Sequence, residues 1–104
     1  MQYQKKNKVN FQQGMIVSNE PGYYEKDSFG IRIENLIYVK ENRNKLIFEN
    51  LTMAPIDKDL IIRERLGANE IKWLNNYHKT VFKNINKFMN KIETTELQKA
   101  CSAI

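Results

Sequence analysis

The sequence predicts an α+β fold: an antiparallel β-meander of about three strands followed by a long C-terminal amphipathic helix. Three observations carry it. Residues 30–39 alternate between two faces, with Ile31, Ile33, Asn35, Ile37 and Val39 on one and Gly30, Arg32, Glu34, Leu36 and Tyr38 on the other, the period of two of a strand. Met15, Ile16 and Val17 form a short apolar run closed by Glu20-Pro21-Gly22, a buried strand followed by breakers. Beyond Gly67, apolar side chains recur at helical spacing from Ile71 to Ile92.

Taken in order, residues 1–13 are polar and read as irregular. Residues 14–20 form the first strand, Tyr23 to Glu25 continue as extended chain, and Lys26-Asp27-Ser28 is a turn. The second strand covers 30–40, and Arg32 and Glu34 share a face that Leu36 and Tyr38 mark as covered. Glu41 to Lys45 is a charged, Asn-rich turn, and the third strand, 46–54, stops at Pro55. Asp57 to Arg65 accommodates a short helical turn. Gly67 then opens a helix to about Lys91, with Glu70 at capping-box spacing. Leu74, Val81 and Phe82 supply its packing face, and 93–104 is a frayed extension. Consecutive strands with short turns give an antiparallel arrangement.

A chain of 104 residues holds one modest core, hiding roughly 65% of its unfolded surface. A hydrophobic share of 41% and an aromatic share of 11% place it among folded chains. The net charge of +5 comes from lysines scattered among asparagines and isoleucines, with no block of five like charges. That pattern indicates neither nucleic acid nor an anionic membrane surface as partner. Residues 1–10 lack the apolar stretch of a secretory signal, no run approaches a membrane span, and Cys101 is the one cysteine. The expected address is the cytoplasm.

Two glutamates carry the chemistry. A hairpin centred on Asp27 sets Glu20 directly opposite Glu34, with Cβ atoms roughly 4.5–5.5 Å apart. Two carboxylates that close repel, so something compensates: a shared proton, a bound cation, or Arg32 on the same face. A solvated hairpin face carries opposed charges as well, and spacing alone leaves both readings open.

Longer motifs narrow the choice. Residues 14–24, Gly-Met-Ile-Val-Ser-Asn-Glu-Pro-Gly-Tyr-Tyr, resemble the segment around the fourth metal ligand of Xaa-Pro aminopeptidases. Phe29-Gly30-Ile31-Arg32-Ile33-Glu34-Asn35 resembles the segment around the fifth. Residues 48–56 resemble the strand that follows, and Trp73-Leu74-Asn75-Asn76-Tyr77-His78 is similar to a helix of the family's extra C-terminal region, found in its long three-domain form. The four matches keep the family's order and spacing over about 14–85. The resemblance implies a partial pita-bread fold, with the end of the M24 catalytic domain at 14–41 and the M24 C-terminal region at 42–104. It implies a peptidase that removes the first residue from peptides with proline second, using two divalent ions, expected to be manganese. By resemblance Glu20 and Glu34 are metal ligands, Glu34 bridging both ions. Arg32 lies in the next shell, as an orienting or charge-balancing group, or in an ordinary cross-strand ion pair.

The departures are as informative. The family's two aspartate ligands and one histidine ligand fall before Gly14, where this sequence has no Asp and no His. His78, the one histidine, lies in the helix match and reads as a packing residue. No catalytic set is complete, so metal binding by this chain alone is expected to be weak or absent. The chain then reads as a fragment, a truncated product (the favoured expectation) or a remnant with a new role. A homodimer is the expected protein partner, since the C-terminal region of this family contributes to subunit association.

Overall fold

The computed structural model describes residues 8–104. The chain divides into two compact units, Met1–Thr52 and Met53–Ile104; the described part of the first is built of strands and the second of helices. Of the segment 1–13, residues 1–7 lie outside the described part, and residues 8–13 carry neither strand nor helix.

Five strands form the first unit: β1 Ile16–Asn19, β2 Gly22–Glu25, β3 Phe29–Arg32, β4 Asn35–Asn42 and β5 Lys45–Asn50. They make a three-stranded sheet in the order β1-β4-β5 and a two-stranded sheet, β2-β3, all antiparallel. The ladder β1/β4 runs from Ile16↔Tyr38 to Asn19↔Asn35, and β2/β3 runs from Gly22↔Arg32 to Glu25↔Phe29. Every one of these pairs is equidistant from Asp27, so both ladders belong to one long hairpin with the predicted centre. Asp27 itself takes a left-handed φ of 56° at the tip, a conformation Asp tolerates in turns.

The predicted strand 30–40 is therefore two strands, parted at Ile33-Glu34. The physical reason sits across the hairpin. Pro21 lies opposite Ile33 and has no N–H to give, so only its carbonyl takes part, accepting the Ile33 N–H at 3.1 Å. The extended segment after Pro21 is the paired strand β2. The third strand ends at Asn50 instead of Ala54, where the regular ladder gives way to two N–H groups, of Leu51 and Thr52, that share the Leu36 carbonyl at 2.8 and 3.3 Å, with side-chain bonds beside them. Asn35 Nδ2 donates to Asn50 Oδ1 at 2.8 Å, and the Leu36 N–H donates to Thr52 Oγ1 at 2.7 Å. Between β4 and β5 the turn residues Arg43 and Asn44 both have positive φ, 49° and 62°, the mirror-image turn that suits strand twist.

Val39, 1% exposed, is the one hydrophobic residue of this sheet unit that is fully buried among the described residues. Leu36 is 43% exposed, so the face expected to be covered is open in this chain.

In the second unit a 3-10 turn at Arg63–Arg65 precedes α1, Ala68–Ile85; a second 3-10 turn at Asn86–Phe88 leads to α2, Lys91–Ala100. Glu70 caps α1 by accepting the Gly67 N–H at 2.7 Å; Gly67 has no side-chain oxygen to return the bond. The long helix predicted to reach Lys91 stops at Ile85, and the frayed tail is a second helix. Asn90 and Glu93 explain the stop. Asn90 Oδ1 accepts the Glu93 N–H and Glu93 Oε2 accepts the Asn90 N–H, both at 2.9 Å, a full capping box that starts a new helix. The apolar period read through to Ile92 thereby breaks: Phe88 and Ile92 are each 78% exposed. The core is Tyr77, Val81 and Leu97, with Met53, Ile56, Phe82, Ile85 and Met89 against it. Leu97 comes from the helix that periodicity did not show.

Candidate metal site

The site forms where the long hairpin loses its ladder. Asn19↔Asn35 on one side and Gly22↔Arg32 on the other fix the register, which leaves Glu20 facing Glu34 across the gap. Arg32 reaches both. Its Nη1 lies 3.6 Å from Glu20 Oε1 and its Nη2 lies 3.3 Å from Glu34 Oε2. One guanidinium thus spans two carboxylates, each with a different nitrogen. These contacts are longer than the roughly 2.7–2.9 Å of a tight charge-assisted bond. The side chains are 50% exposed for Arg32 and 42% for each glutamate. Pairs this open to water contribute about 0–1 kcal/mol.

Ser18 completes the cluster and went unread in the sequence. Its Oγ donates to Glu20 Oε2 at 2.6 Å, so both oxygens of Glu20 have a partner. The available signal was position, two residues before Glu20 and hence on the same strand face. Tyr24 lies close by along β2. A Cβ at Gly22 would meet its hydroxyl at 2.8 Å, and one at Gly30 would meet its Cδ1 at 2.7 Å. The ring therefore lies across two glycines, and both must lack a side chain for it to do so.

The donor chemistry suits a hard divalent cation, since both glutamates offer carboxylate oxygen. The donor number does not complete a centre: among the described residues no group of three or more His, Cys, Asp or Glu side chains is gathered. His78 does not serve as a ligand either. It is fully buried in the helical unit, where its Nε2 accepts the Ile56 N–H at 3.0 Å. Burial, and secondarily the charge of Lys58, push its pKa down. The Cys101 thiol is pushed up by burial.

Comparison with known proteins identifies the family. Metallopeptidase family M24 matches residues 1–41, and the C-terminal region of peptidase M24 matches residues 44–104. The strand β5 lies within the latter match, yet its backbone pairs along β4 in the sheet unit. A probable Xaa-Pro aminopeptidase P of Tuber melanosporum is 49% identical over 86 residues, 75% of this chain. Aminopeptidase P2 of Arabidopsis thaliana is 42% identical over 98 residues, 86% of this chain. The chain spans 14% of the length of each. The crystal structure of X-prolyl aminopeptidase from Caenorhabditis elegans, a cytosolic enzyme with a di-nuclear active site, superposes with a TM-score of 0.74 at 34% identity. That match covers 90% of this chain and 17% of the enzyme. The strands and helices described above are thus part of the pita-bread architecture, and the chain belongs to metallopeptidase family M24, as a C-terminal portion of its Xaa-Pro aminopeptidases.

Proposed function

We propose that this chain supplies two glutamate ligands, Glu20 and Glu34, to the dinuclear centre of a cytoplasmic Xaa-Pro aminopeptidase, and that alone it is not a competent peptidase. The observation that supports this reading is the opposed pair at the ladder gap, joined through Arg32. It coincides with the two family segments in which glutamates serve as ligands. The substrate class is a peptide with proline second, and the expected metal is manganese, which hard carboxylate oxygens suit. When bound, two such ions supply an activated hydroxide at neutral pH and polarise the scissile carbonyl. The role of this chain's residues is narrower. Glu20 and Glu34 offer oxygen donors from the ladder gap between paired strands, Ser18 orients Glu20, and Arg32 balances charge. Two donors do not hold two ions, so the remaining aspartate and histidine ligands must come from other residues of the catalytic domain.

The test is to purify the 104-residue chain, add manganese and supply a short peptide with proline second. No turnover is expected. Turnover that disappears in Glu34→Gln would show that the chain is self-sufficient. Mixing with an upstream M24 fragment that carries the aspartate and histidine ligands should restore activity. That recovery should be lost with Glu20→Gln or Glu34→Gln. Failure of the mixture, with both pieces folded, favours the second reading, a noncatalytic association module. The exposed apolar residues of the outer strands β1 and β5, Ile16 at 59% and Phe48 at 54%, speak for that alternative.

A further inference from the structure

Charge in this chain is segregated. Between Glu70 and Glu93 stand five lysines, Lys72, Lys79, Lys83, Lys87 and Lys91, and no Asp or Glu. Of the 17 Lys and Arg in the chain, the remaining twelve equal its 12 Asp and Glu, so this stretch accounts for the whole net charge of +5. Along the sequence the five are too dispersed to form a block, but α1 gathers them. At 3.6 residues per turn, Lys72, Lys79 and Lys83 fall within about 40° of one another, on the side of α1 opposite the buried Leu74 and Val81. Lys87 follows one turn on, in the 3-10 turn, and all five lysines are exposed. Among the described residues none of them takes part in an ion pair. The nearest acids are engaged elsewhere: Glu70 accepts the Gly67 N–H, Glu93 caps Asn90, and Glu96 pairs with Lys99.

We propose that this basic row is a docking surface for an anionic lipid bilayer, with Phe88 and Ile92 entering the membrane at its end. The surface lies in the helical unit and owes nothing to the two glutamates. Phe88 and Ile92, each 78% exposed, are more exposed than any other large hydrophobic among the described residues. They sit beside Lys87 and Lys91, apolar groups flanked by cations, the composition that suits the boundary between headgroups and acyl chains. Lys87 Nζ lies 5.2 Å from the centre of the Phe88 ring, so the ammonium can stay with the headgroups while the ring enters. Charge complementarity sets the lipid: an anionic leaflet attracts clustered lysines over about a Debye length. A second copy of this face would meet it with like charge. A nucleic acid is met best by arginine forks and free aromatic faces. The stretch has no Arg, its Ile92 cannot stack on a base, and Trp73 is already stacked on Tyr77 at 5.5 Å.

Co-sedimentation of the 104-residue chain with vesicles tests this. The chain should bind vesicles of phosphatidylcholine with about one third phosphatidylserine, and not vesicles of phosphatidylcholine alone. Raising the salt to about 1 M, where the Debye length is about 3 Å, should release it. Each lysine near an anionic surface contributes about a fivefold factor, so Lys79→Gln with Lys83→Gln should weaken binding roughly 25-fold. Lys26→Gln with Lys45→Gln, which removes two charges from the sheet unit, should leave binding near that of the natural chain. Phe88→Ser with Ile92→Ser should weaken it about tenfold or more. All these side chains are exposed, and circular dichroism confirms that each variant keeps its helices. Equal binding to neutral vesicles, or no binding to the anionic ones, would overturn the proposal. So would equal losses from the two lysine pairs, which would assign the effect to net charge and not to the row. Tighter binding to a single-stranded oligonucleotide that is unaffected by the Phe88 and Ile92 changes would assign the row to nucleic acid and overturn the lipid assignment.

Discussion

His78 is the one buried polar or charged residue among the described residues. It is fully buried, and the Ile56 N–H needs an unprotonated Nε2 as acceptor. The hydrogen of the neutral ring then sits on Nδ1, which has no partner. Next to it, the Tyr77 hydroxyl donates to Ala54 O at 2.6 Å. The two neighbours on α1 thereby tie down the chain at Ala54 and Ile56. Burial, then the nearby charge of Lys58, lowers the His78 pKa below 6.5. The sign follows from linkage. Above 6.5 the ring is neutral in both folded and unfolded chains, and the stability is fully present. As pH falls, the unfolded chain takes up a proton that the folded chain refuses, so stability declines until the pH passes the folded value. The urea midpoint, followed by Trp73 fluorescence, should therefore fall between about pH 7 and pH 5. His78→Phe should flatten that slope; a slope unchanged in the variant would assign it to other groups.

At the scale of elements, two local devices decide where structure begins and how the hairpin closes. Asn90 with Glu93 starts α2 and so ends the preceding turn. Asn90→Ala should cost about 1 kcal/mol and lower the helical circular dichroism signal, with the sheet signal kept. On the hairpin, Tyr24 lies across Gly22 and Gly30, its own cross-strand partner. In Gly30→Ala the new methyl group would lie 2.7 Å from Tyr24 Cδ1, so the ring must swing away. The expected loss is roughly 1 kcal/mol, the lower end for overpacking because the ring is exposed. A double-mutant cycle checks the cause: in a Tyr24→Ala background the same glycine change should become neutral. Additive losses would place the cost in the backbone. On the neighbouring strands, Tyr38 pairs with Glu49, which Lys40 also meets at 3.0 Å. Glu49 is held below the usual carboxylate range first by Lys40 and then by Tyr38.

At the scale of the whole molecule the sheet unit stands out for what it leaves uncovered. Ile16 on β1 and Phe48 on β5 are more than half exposed, and among the described residues each strand has a backbone neighbour on one side. Unpaired edges with apolar side chains offer themselves to another chain. Sedimentation of the purified protein should show self-association that rises with concentration. Phe48→Lys should weaken it by placing a charge on the outer strand. A monomer at all concentrations would remove the edge as a docking element and weaken the association-module reading.

Much of this was legible in the residues themselves. The hairpin centre at Asp27, the opposition of Glu20 and Glu34, the turn after Glu41 and the start of α1 at Gly67 all follow from alternation, breakers and caps, which act over a few residues. The family likewise showed in short motifs. What the sequence could not decide depended on groups distant along the chain. Pro21 divides a strand whose own alternation is unbroken, because the missing N–H lies across the hairpin. The helical period runs through Phe88 to Ile92, yet a capping box and a core that takes Leu97 close one helix and open another. At the site, the sequence put Arg32 near two carboxylates and left its role open; only the fold sets one guanidinium between both. Covalent neighbours specify periodicity and turns, whereas partners in space decide where periodicity ends and which charges meet.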